Sequence, residues 1–244
     1  MATTAVSERV MRELAPTGRL RAAINYGNAV LAQRDGRTGE PRGITADLAC
    51  ELARRLAVPV EFVIYDGAGK IVAAAASHEW DVAFMAIDPL RAGQILFTPP
   101  YLIIEGTYLV RSDSPFRSVE EIDRAGVRIA VGKGAAYDLF LTRTLKHAEL
   151  VRAPSTAAVI GVFDEQHLDA AAGIRQPLEA ATRDHSEWRV LPGRFMVIEQ
   201  ALCTPAARQE GGAYLAAFIA DMKTSGWVAE ALARHGQRDV TVAP

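Results

Sequence analysis

The sequence predicts an α/β protein with mostly parallel strands, and three observations support this fold class. Short apolar runs that are typical of strands alternate with helical patterns along almost the whole chain. The chain has 244 residues, enough for one large domain or two modest lobes, and half of them are hydrophobic. The apolar stretch at 102–110 is long enough to suggest a segment that leaves one lobe and enters another.

The first half of the chain predicts three strands, each followed by a helix. A polar, glycine-bearing loop at 25–43 separates the first strand from its helix, in which Ile44, Leu48, Leu52 and Leu56 share one face. The strands are expected at 20–24, 60–64 and 79–87. The helices are expected from Thr45, over 70–78 and from Asp88.

The second half repeats this alternation and then returns to the first lobe through an apolar strand at 195–203. Further strands are expected at 127–131, 150–152, 168–172 and 188–191. Helices are expected from Ser118 and over 135–146, 154–166, 179–185, 212–225 and 227–235.

Charge and hydropathy exclude several partners. Lysine and arginine total 27 against 29 acidic residues, and no basic block interleaves with aromatic residues, so nucleic-acid binding is disfavoured. The apolar stretches are too short to span a bilayer, so no membrane insertion is expected. The N-terminus, with Glu8, Arg9 and Glu13, does not resemble a secretory leader. The sequence as written therefore predicts a cytoplasmic protein, or a periplasmic one if a leader has been removed.

Arg91 is the candidate binding residue that local sequence indicates most directly. It follows a buried strand and the pair Asp88-Pro89, which is typical of a helix start. Open α/β sheets place ligands at such strand ends, and a cation beside helix N–H groups suits a carboxylate. The alternative is a surface ion pair between Arg91 and Asp88.

No motif indicates a cofactor or a metal. Gly132 and Gly134 follow a strand, but the third glycine of a dinucleotide fingerprint is replaced by Tyr137. The five histidines are scattered and form no metal-binding pattern. We therefore expect neither a cofactor nor a metal ion.

Six segments, in order, resemble the bacterial extracellular solute-binding proteins of family 3, which have the type II periplasmic-binding-protein fold. The likeness covers nearly everything from Leu20 to about Gly236. In this chain the six segments are LR (20–21), GITADLA (43–49), YDG (65–67), DV…DPLR (81–91), FTPPY (97–101) and VGKGA (131–135). In the same order, they resemble the start of the family's first strand and its motifs GFDVDLA, WDG, DV…TPxR, FSxPY and VGVxxGT.

This resemblance implies two α/β lobes joined by two crossing strands, with the ligand bound in the cleft between them. We expect residues 1–109 and 200–244 to form the first lobe, and 110–199 the second. The resemblance also implies an ABC-type permease as partner and a small-molecule ligand. It assigns Arg91 to the ligand carboxylate, together with backbone amides of the turn formed by Lys133, Gly134, Ala135 and Ala136.

Departures from the family pattern bear on the ligand. Ala86, Ile87 and Asp88 stand where the family has serine and threonine hydroxyls. The family's amino-binding aspartate falls near Gly173 and Arg175, where the sequence has no acid. We therefore do not expect a standard α-amino acid as the ligand. We expect a small carboxylate, with a second anionic or polar group near Arg175.

Further candidates come from loops and from an enzymatic alternative. Asn25, Tyr26 and Asn28 follow the first strand, and Tyr65 ends the second, where the family has a ligand-stacking aromatic residue. The alternative is a cytoplasmic enzyme that resembles cyclohexadienyl dehydratase, a carbon–oxygen lyase on the same fold. Glu105 and Glu165 are then the candidate acids.

Overall fold

The computed structural model describes residues 6–237 and 239–244. Strands and helices alternate as the sequence predicts, and the chain divides into two compact units. The strands are β1 (Leu20–Asn25), β2 (Gln33–Arg34), β3 (Pro41–Arg42), β4 (Val60–Tyr65), β5 (Val82–Ala86), β6 (Ile95–Phe97), β7 (Leu102–Arg111), β8 (Arg128–Gly132), β9 (Glu149–Ala153), β10 (Ala170–Ile174), β11 (Trp188–Val190), β12 (Met196–Pro205) and β13 (Thr241–Val242).

The helices differ more from the sequence-based expectations than the strands do. The helix expected from Asp88 is absent, and turns occupy 89–94 instead. The helices are α1 (Glu8–Leu14), α2 (Ile44–Leu56), α3 (Ala68–Ala73), α4 (Ala136–Thr144), α5 (Val159–Glu165), α6 (Arg175–Asp184), α7 (Gln209–Thr224) and α8 (Trp227–Arg234), with a 3₁₀ turn at Val119–Glu121. Within the described residues, no helix combines the length and the apolar content that a membrane span requires.

The first unit contains the described residues up to Tyr65, together with Lys70–Leu102 and Glu199–Pro244. Its strands lie in the order β4-β1-β5-β12, and β6 pairs with the other side of β12. The pairs β4–β1 and β1–β5 are parallel, whereas β12 runs antiparallel to β5 and to β6. Helix α2 packs on β1 and β4 through its apolar face, which the sequence predicts from i, i+4 spacing.

The second unit contains Asp66–Gly69 and Ile103–Ile198. Its strands lie in the order β9-β8-β10-β7, and β11 pairs with β7. Again three neighbouring strands, β9, β8 and β10, are parallel, and β7 is antiparallel to β10. Helix α5 packs on all three parallel strands around buried Phe163. The chain passes between the units within β7 and β12, and also around residues 66–69.

Candidate functional site

Three parallel strands of the first unit end at one edge of its sheet. β1 ends at Asn25, β4 at Tyr65 and β5 at Ala86, and Asn25 lies directly opposite Tyr65 in the ladder. The Tyr26 N–H donates to the Tyr65 carbonyl at 2.9 Å. The carboxyl ends of parallel strands are where open α/β sheets bind ligands. The register therefore brings together three of the predicted residues, Asn25, Tyr26 and Tyr65.

The loop after β1 is ordered by its own hydrogen bonds. The Asn25 side-chain oxygen accepts from the Gly27 N–H at 2.9 Å, and the Asn28 carbonyl accepts from Leu31 and Ala32 at 3.0 Å each. The Asn28 side chain is 8% exposed, and its Oδ1 has no hydrogen-bond partner in the described part of the chain. A buried, unpaired amide oxygen costs about 1–3 kcal/mol, so a donor that reached it would stabilise the loop.

Tyr65 is anchored at both ends. Its backbone belongs to β4, and its hydroxyl donates to Glu79 Oε2 at 3.0 Å. Burial, the hydrogen bond to Glu79 and the charge of Glu79 raise the pKa of the Tyr65 phenol to about 12. The ring is therefore neutral and fixed in orientation, as an aromatic wall requires.

Asp88 caps a turn and not a helix. Its Oδ1 accepts from the Leu90 N–H at 2.9 Å, and its carbonyl accepts from the Arg91 N–H at 3.0 Å. The predicted helix does not form because β6 begins at Ile95 and pairs with β12, which leaves only the segment 89–94 between two strands. The local start signal is real, but pairing in the sheet overrides it.

Arg91 is buried at the end of β5. The residue is only 2% exposed, and its Nη1 donates to the Ala86 carbonyl at 2.9 Å. Burial lowers the pKa of the guanidinium and the nearby Asp88 charge opposes that shift, but an arginine stays protonated in proteins. Asp88 is itself only 3% exposed, so the two opposite charges lie near each other in the interior and not on the surface.

The surroundings of Arg91 are apolar where the family pattern has hydroxyls. Ala86 is buried, and the Ile87 N–H donates to the Glu199 carbonyl at 2.9 Å. Ile87 and Leu90 are large apolar side chains that remain 36% and 62% exposed. These residues supply apolar contacts beside the buried cation, and no hydroxyl donors.

The turn after β8 lies in the second unit. The Gly134 N–H donates to Asp138 Oδ2 at 2.8 Å, and the Ala135 N–H donates to the Gly132 carbonyl at 3.1 Å. Gly134 has a φ of +73°, which explains the glycine at this position. The Ala136 N–H begins α4, where N–H groups have no acceptor within the helix. Lys133 is exposed, and its own N–H donates to the Ala153 carbonyl.

Glu105 supplies an acid next to Arg175 that the local sequence around 173–175 does not contain. Ile174 pairs with Gly106 across the β10–β7 ladder, and this register places Glu105 beside the start of α6. Arg175 Nε donates to Glu105 Oε2 at 2.9 Å, while Arg194 donates to the other carboxylate oxygen. Arg175 also contacts Glu179 at 3.6 Å. Its charge is therefore already balanced by side chains of this unit.

The two candidate acids of the enzymatic alternative do not have the environment that an acid catalyst needs. Hydrogen bonds from Arg194 and then Arg175 lower the pKa of Glu105, against the opposing effect of burial. A general acid at neutral pH requires a raised pKa. Glu165 is exposed at the end of α5. No group of three or more His, Cys, Asp or Glu side chains within the described ranges is placed to hold a metal.

The lowered pKa of Glu105 predicts a pH effect on stability. Its ordinary pKa is 4.5, so its ion pairs should stabilise the fold fully above that value. The stabilisation should be lost as the pH falls through the lower folded-state pKa. Urea unfolding between about pH 7 and pH 3 should show wild type and Glu105→Gln converging on acidification.

Arg194→Gln serves as the matched variant. Because the Arg194 hydrogen bond is the largest cause of the shift, acid should reduce the stability of this variant less than that of the wild type. A stability difference between wild type and Glu105→Gln that stays constant over the whole pH range would contradict the assignment.

Comparisons with known proteins give the family. The model of the bacterial extracellular solute-binding proteins, family 3, matches residues 20–238. No curated protein sequence matches the chain at a significant level.

Several solved structures share the fold at low identity. A mutant of ArgBP from T. maritima is 20% identical with a TM-score of 0.79, over 92% of this chain and 98% of that one. An ancestral amino acid-binding protein, a precursor of cyclohexadienyl dehydratase, is 22% identical with a TM-score of 0.77, over 92% and 98%. The cysteine-binding protein from Campylobacter jejuni is 18% identical with a TM-score of 0.81, over 98% and 100%. The fold is thus the type II periplasmic-binding-protein fold, and the chain belongs to family 3 of the bacterial extracellular solute-binding proteins.

Proposed function

We propose that the protein binds a small carboxylate-bearing solute outside the cytoplasm and delivers it to an ABC-type permease. The observation that carries this proposal is Arg91, a guanidinium 2% exposed at the carboxyl end of β5. A buried arginine beside a strand end keeps its charge where water screens it weakly, and the planar guanidinium matches the geometry of a carboxylate. Asn25, Tyr26, Asn28 and Tyr65 are the proposed neighbours of the ligand in the first unit.

The resemblance to the family supports further contacts from the second unit. We propose the turn of Lys133, Gly134, Ala135 and Ala136 as a partner for the same ligand. The Gly134 and Ala135 N–H groups already have acceptors within the turn. The Ala136 N–H at the start of α4 is therefore the amide we assign to the carboxylate.

The ligand that we propose is not a standard α-amino acid. An α-ammonium needs a carboxylate with charge to spare, and Glu105 already accepts from Arg175 and Arg194. The positive charge of Arg175 would also repel an ammonium placed near it. Arg175, when displaced from Glu105, could instead meet a second polar or anionic group. ArgBP and the cysteine-binding protein bind amino acids, so arginine is among the ligands in the test below.

Mass spectrometry of small molecules released from the purified protein tests the proposal. A carboxylate is expected, and calorimetry should then show that its neutral primary amide binds far more weakly, because the amide lacks the charge that Arg91 pairs with. Glutamate, arginine and leucine are expected to bind no more tightly than about 1 mM. Micromolar binding of any of these three would overturn the ligand assignment, and equal binding of acid and amide would overturn the role of the cation.

A further inference from the structure

A cavity of about 110 Å³ lies within the first unit, and Arg91 is not among the described residues that line it. Its walls are the segment 29–33 after β1, Arg42 and Gly43 before α2, Arg234 at the end of α8, and His235 and Gln237 just after it. The volume is several times that of one water molecule, which occupies about 30 Å³ in the liquid. The space suits a small ion or the polar head of a small molecule.

Two arginines on the cavity wall are held in position by neighbouring side chains. Arg42 Nη2 donates to Gln33 Oε1 at 2.8 Å, and Gln33 Nε2 donates to the Ala29 carbonyl at 2.8 Å. Arg234 Nη2 donates to Asp47 Oδ2 at 3.2 Å, and its guanidinium lies 5.5 Å from the centre of the Trp227 ring. Each guanidinium is thus oriented through one edge, and each has further N–H groups on its other edges.

The arginines on the cavity wall, Arg42 and Arg234, are its permanently charged side chains. None of the described residues on its wall is acidic. Asp47 pairs with Arg234 and also accepts from His235 Nε2 at 2.9 Å, so one negative charge serves two wall residues. Asp35, near Arg42, accepts from the Arg37 and Thr38 N–H groups of its own turn at 3.0 and 2.8 Å.

The ends of two helices lie at the cavity, and their partial charges act in opposite directions on an anion. Gly43 is the N-cap of α2, a helix of 13 residues whose N-terminal end carries partial positive charge. α8 ends near the cavity with its carbonyl end, which would repel an anion. However, the N–H groups of His235, Gly236 and Gln237 donate to the carbonyls of Ala231, Ala233 and Leu232. The negative end of α8 is therefore largely satisfied within its own terminus.

We propose that this cavity binds a tetrahedral oxyanion, either free phosphate or sulfate or the phosphoryl group of a small molecule. Arg42 and Arg234 supply planar donor forks from two separate segments, and this geometry matches phosphoryl oxygens. The residues that line this cavity are distinct from those that we assign to the carboxylate. Binding here would link the loop at 29–33 to the end of α8.

Amide NMR of the full chain, titrated with inorganic phosphate at constant ionic strength, tests the proposal. Saturable shifts are expected at amides of 29–33, 43–45 and 235–237. Arg42→Gln and Arg234→Gln should each weaken the apparent affinity about tenfold, as expected for loss of a charge-assisted bond of roughly 1.5 kcal/mol. Arg37→Gln is the matched control, because Arg37 is an exposed arginine of the same hairpin that does not line the cavity.

Glycerol 3-phosphate forms the second arm of the titration. Equal binding of both ligands would assign the site to the phosphoryl oxygens alone, and tighter binding of glycerol 3-phosphate would assign it to a phosphorylated small molecule. Shifts that grow linearly without saturation, or that are the same in Arg42→Gln and Arg234→Gln as in the wild type, would overturn the proposal. Sodium chloride at matched ionic strength should cause no shifts of this pattern, since screening acts on all surface charges.

Discussion

Arg91→Met is expected to weaken binding of the carboxylate solute about thirtyfold or more. Removing one partner of a buried, hydrogen-bonded charge pair costs roughly 2–5 kcal/mol of binding free energy. Arg91 meets the condition for an effect of this size because it is only 2% exposed, so bulk water screens its charge weakly. Calorimetric titration of wild type and variant with the carboxylate identified by mass spectrometry measures the difference.

The fold should survive this substitution at some cost in stability, which urea unfolding of the variant measures. Methionine keeps the apolar stem of arginine and removes the desolvation penalty that lowers the pKa of the Arg91 guanidinium, but it leaves the Asp88 carboxylate, only 3% exposed, without that nearby positive charge. The variant loses the hydrogen bond from Nη1 to the Ala86 carbonyl, which is worth about 1 kcal/mol. A loss of affinity without unfolding would therefore report on the ligand contact.

Arg19→Met is the matched control for this experiment. The Arg19 side chain, just before β1, is 55% exposed and pairs with Glu61 of β4 at 3.4 Å. Its replacement should leave the affinity unchanged. A folded Arg91→Met protein that binds the carboxylate as tightly as wild type would exclude Arg91 from the binding site.

The architecture follows from the sequence because its signals are local. Alternating apolar runs predict the strands, and β1 and α2 begin within a residue of their predicted positions. The segment that contains Arg91 follows β5, and Tyr65 is the last residue of β4, so the sequence also places these two residues near strand ends. These features depend on residues that are close together in the chain, and periodicity detects them.

The parts that the sequence did not predict depend on residues far apart in the chain. Glu105 meets Arg175 and Arg194, which are 70 and 89 residues away, only because β7 and β10 pair antiparallel. The start signal at Asp88 predicts a helix when it is considered alone. It gives a turn because β6 pairs with β12, a strand about a hundred residues later. Register across a sheet is a property of the whole fold, and a strand such as β10, in which every residue is buried, has no alternation of apolar and polar residues from which the register could be predicted.

Asp81→Ala is expected to destabilise the first unit by about 3–5 kcal/mol, the usual cost of removing one partner of a buried ion pair. Asp81 is fully buried at the start of β5 and binds two arginines. Its Oδ2 accepts from the Arg21 N–H and Nε at 3.0 and 2.9 Å. Its Oδ1 accepts from Arg21 Nη2 at 2.7 Å and from Arg208 Nη1 at 2.8 Å.

The size of this effect follows from what alanine leaves behind. The Arg21 and Arg208 side chains are only 17% and 11% exposed, so without Asp81 two guanidiniums would keep their charge in a place where water reaches them poorly. Urea unfolding followed by circular dichroism should show a clearly lower midpoint for Asp81→Ala. Asp81→Asn should lose less, because one oxygen can still accept. Glu8→Ala is the control, because it removes the partner of Arg12 in an ion pair in which the Glu8 side chain is 93% exposed. The urea midpoint of this variant should hardly move. Unfolding of Asp81→Ala at the same urea concentration as Glu8→Ala would show that the network of Asp81, Arg21 and Arg208 contributes nothing to stability. The position of β5, which precedes Arg91, would then have to depend on apolar packing alone.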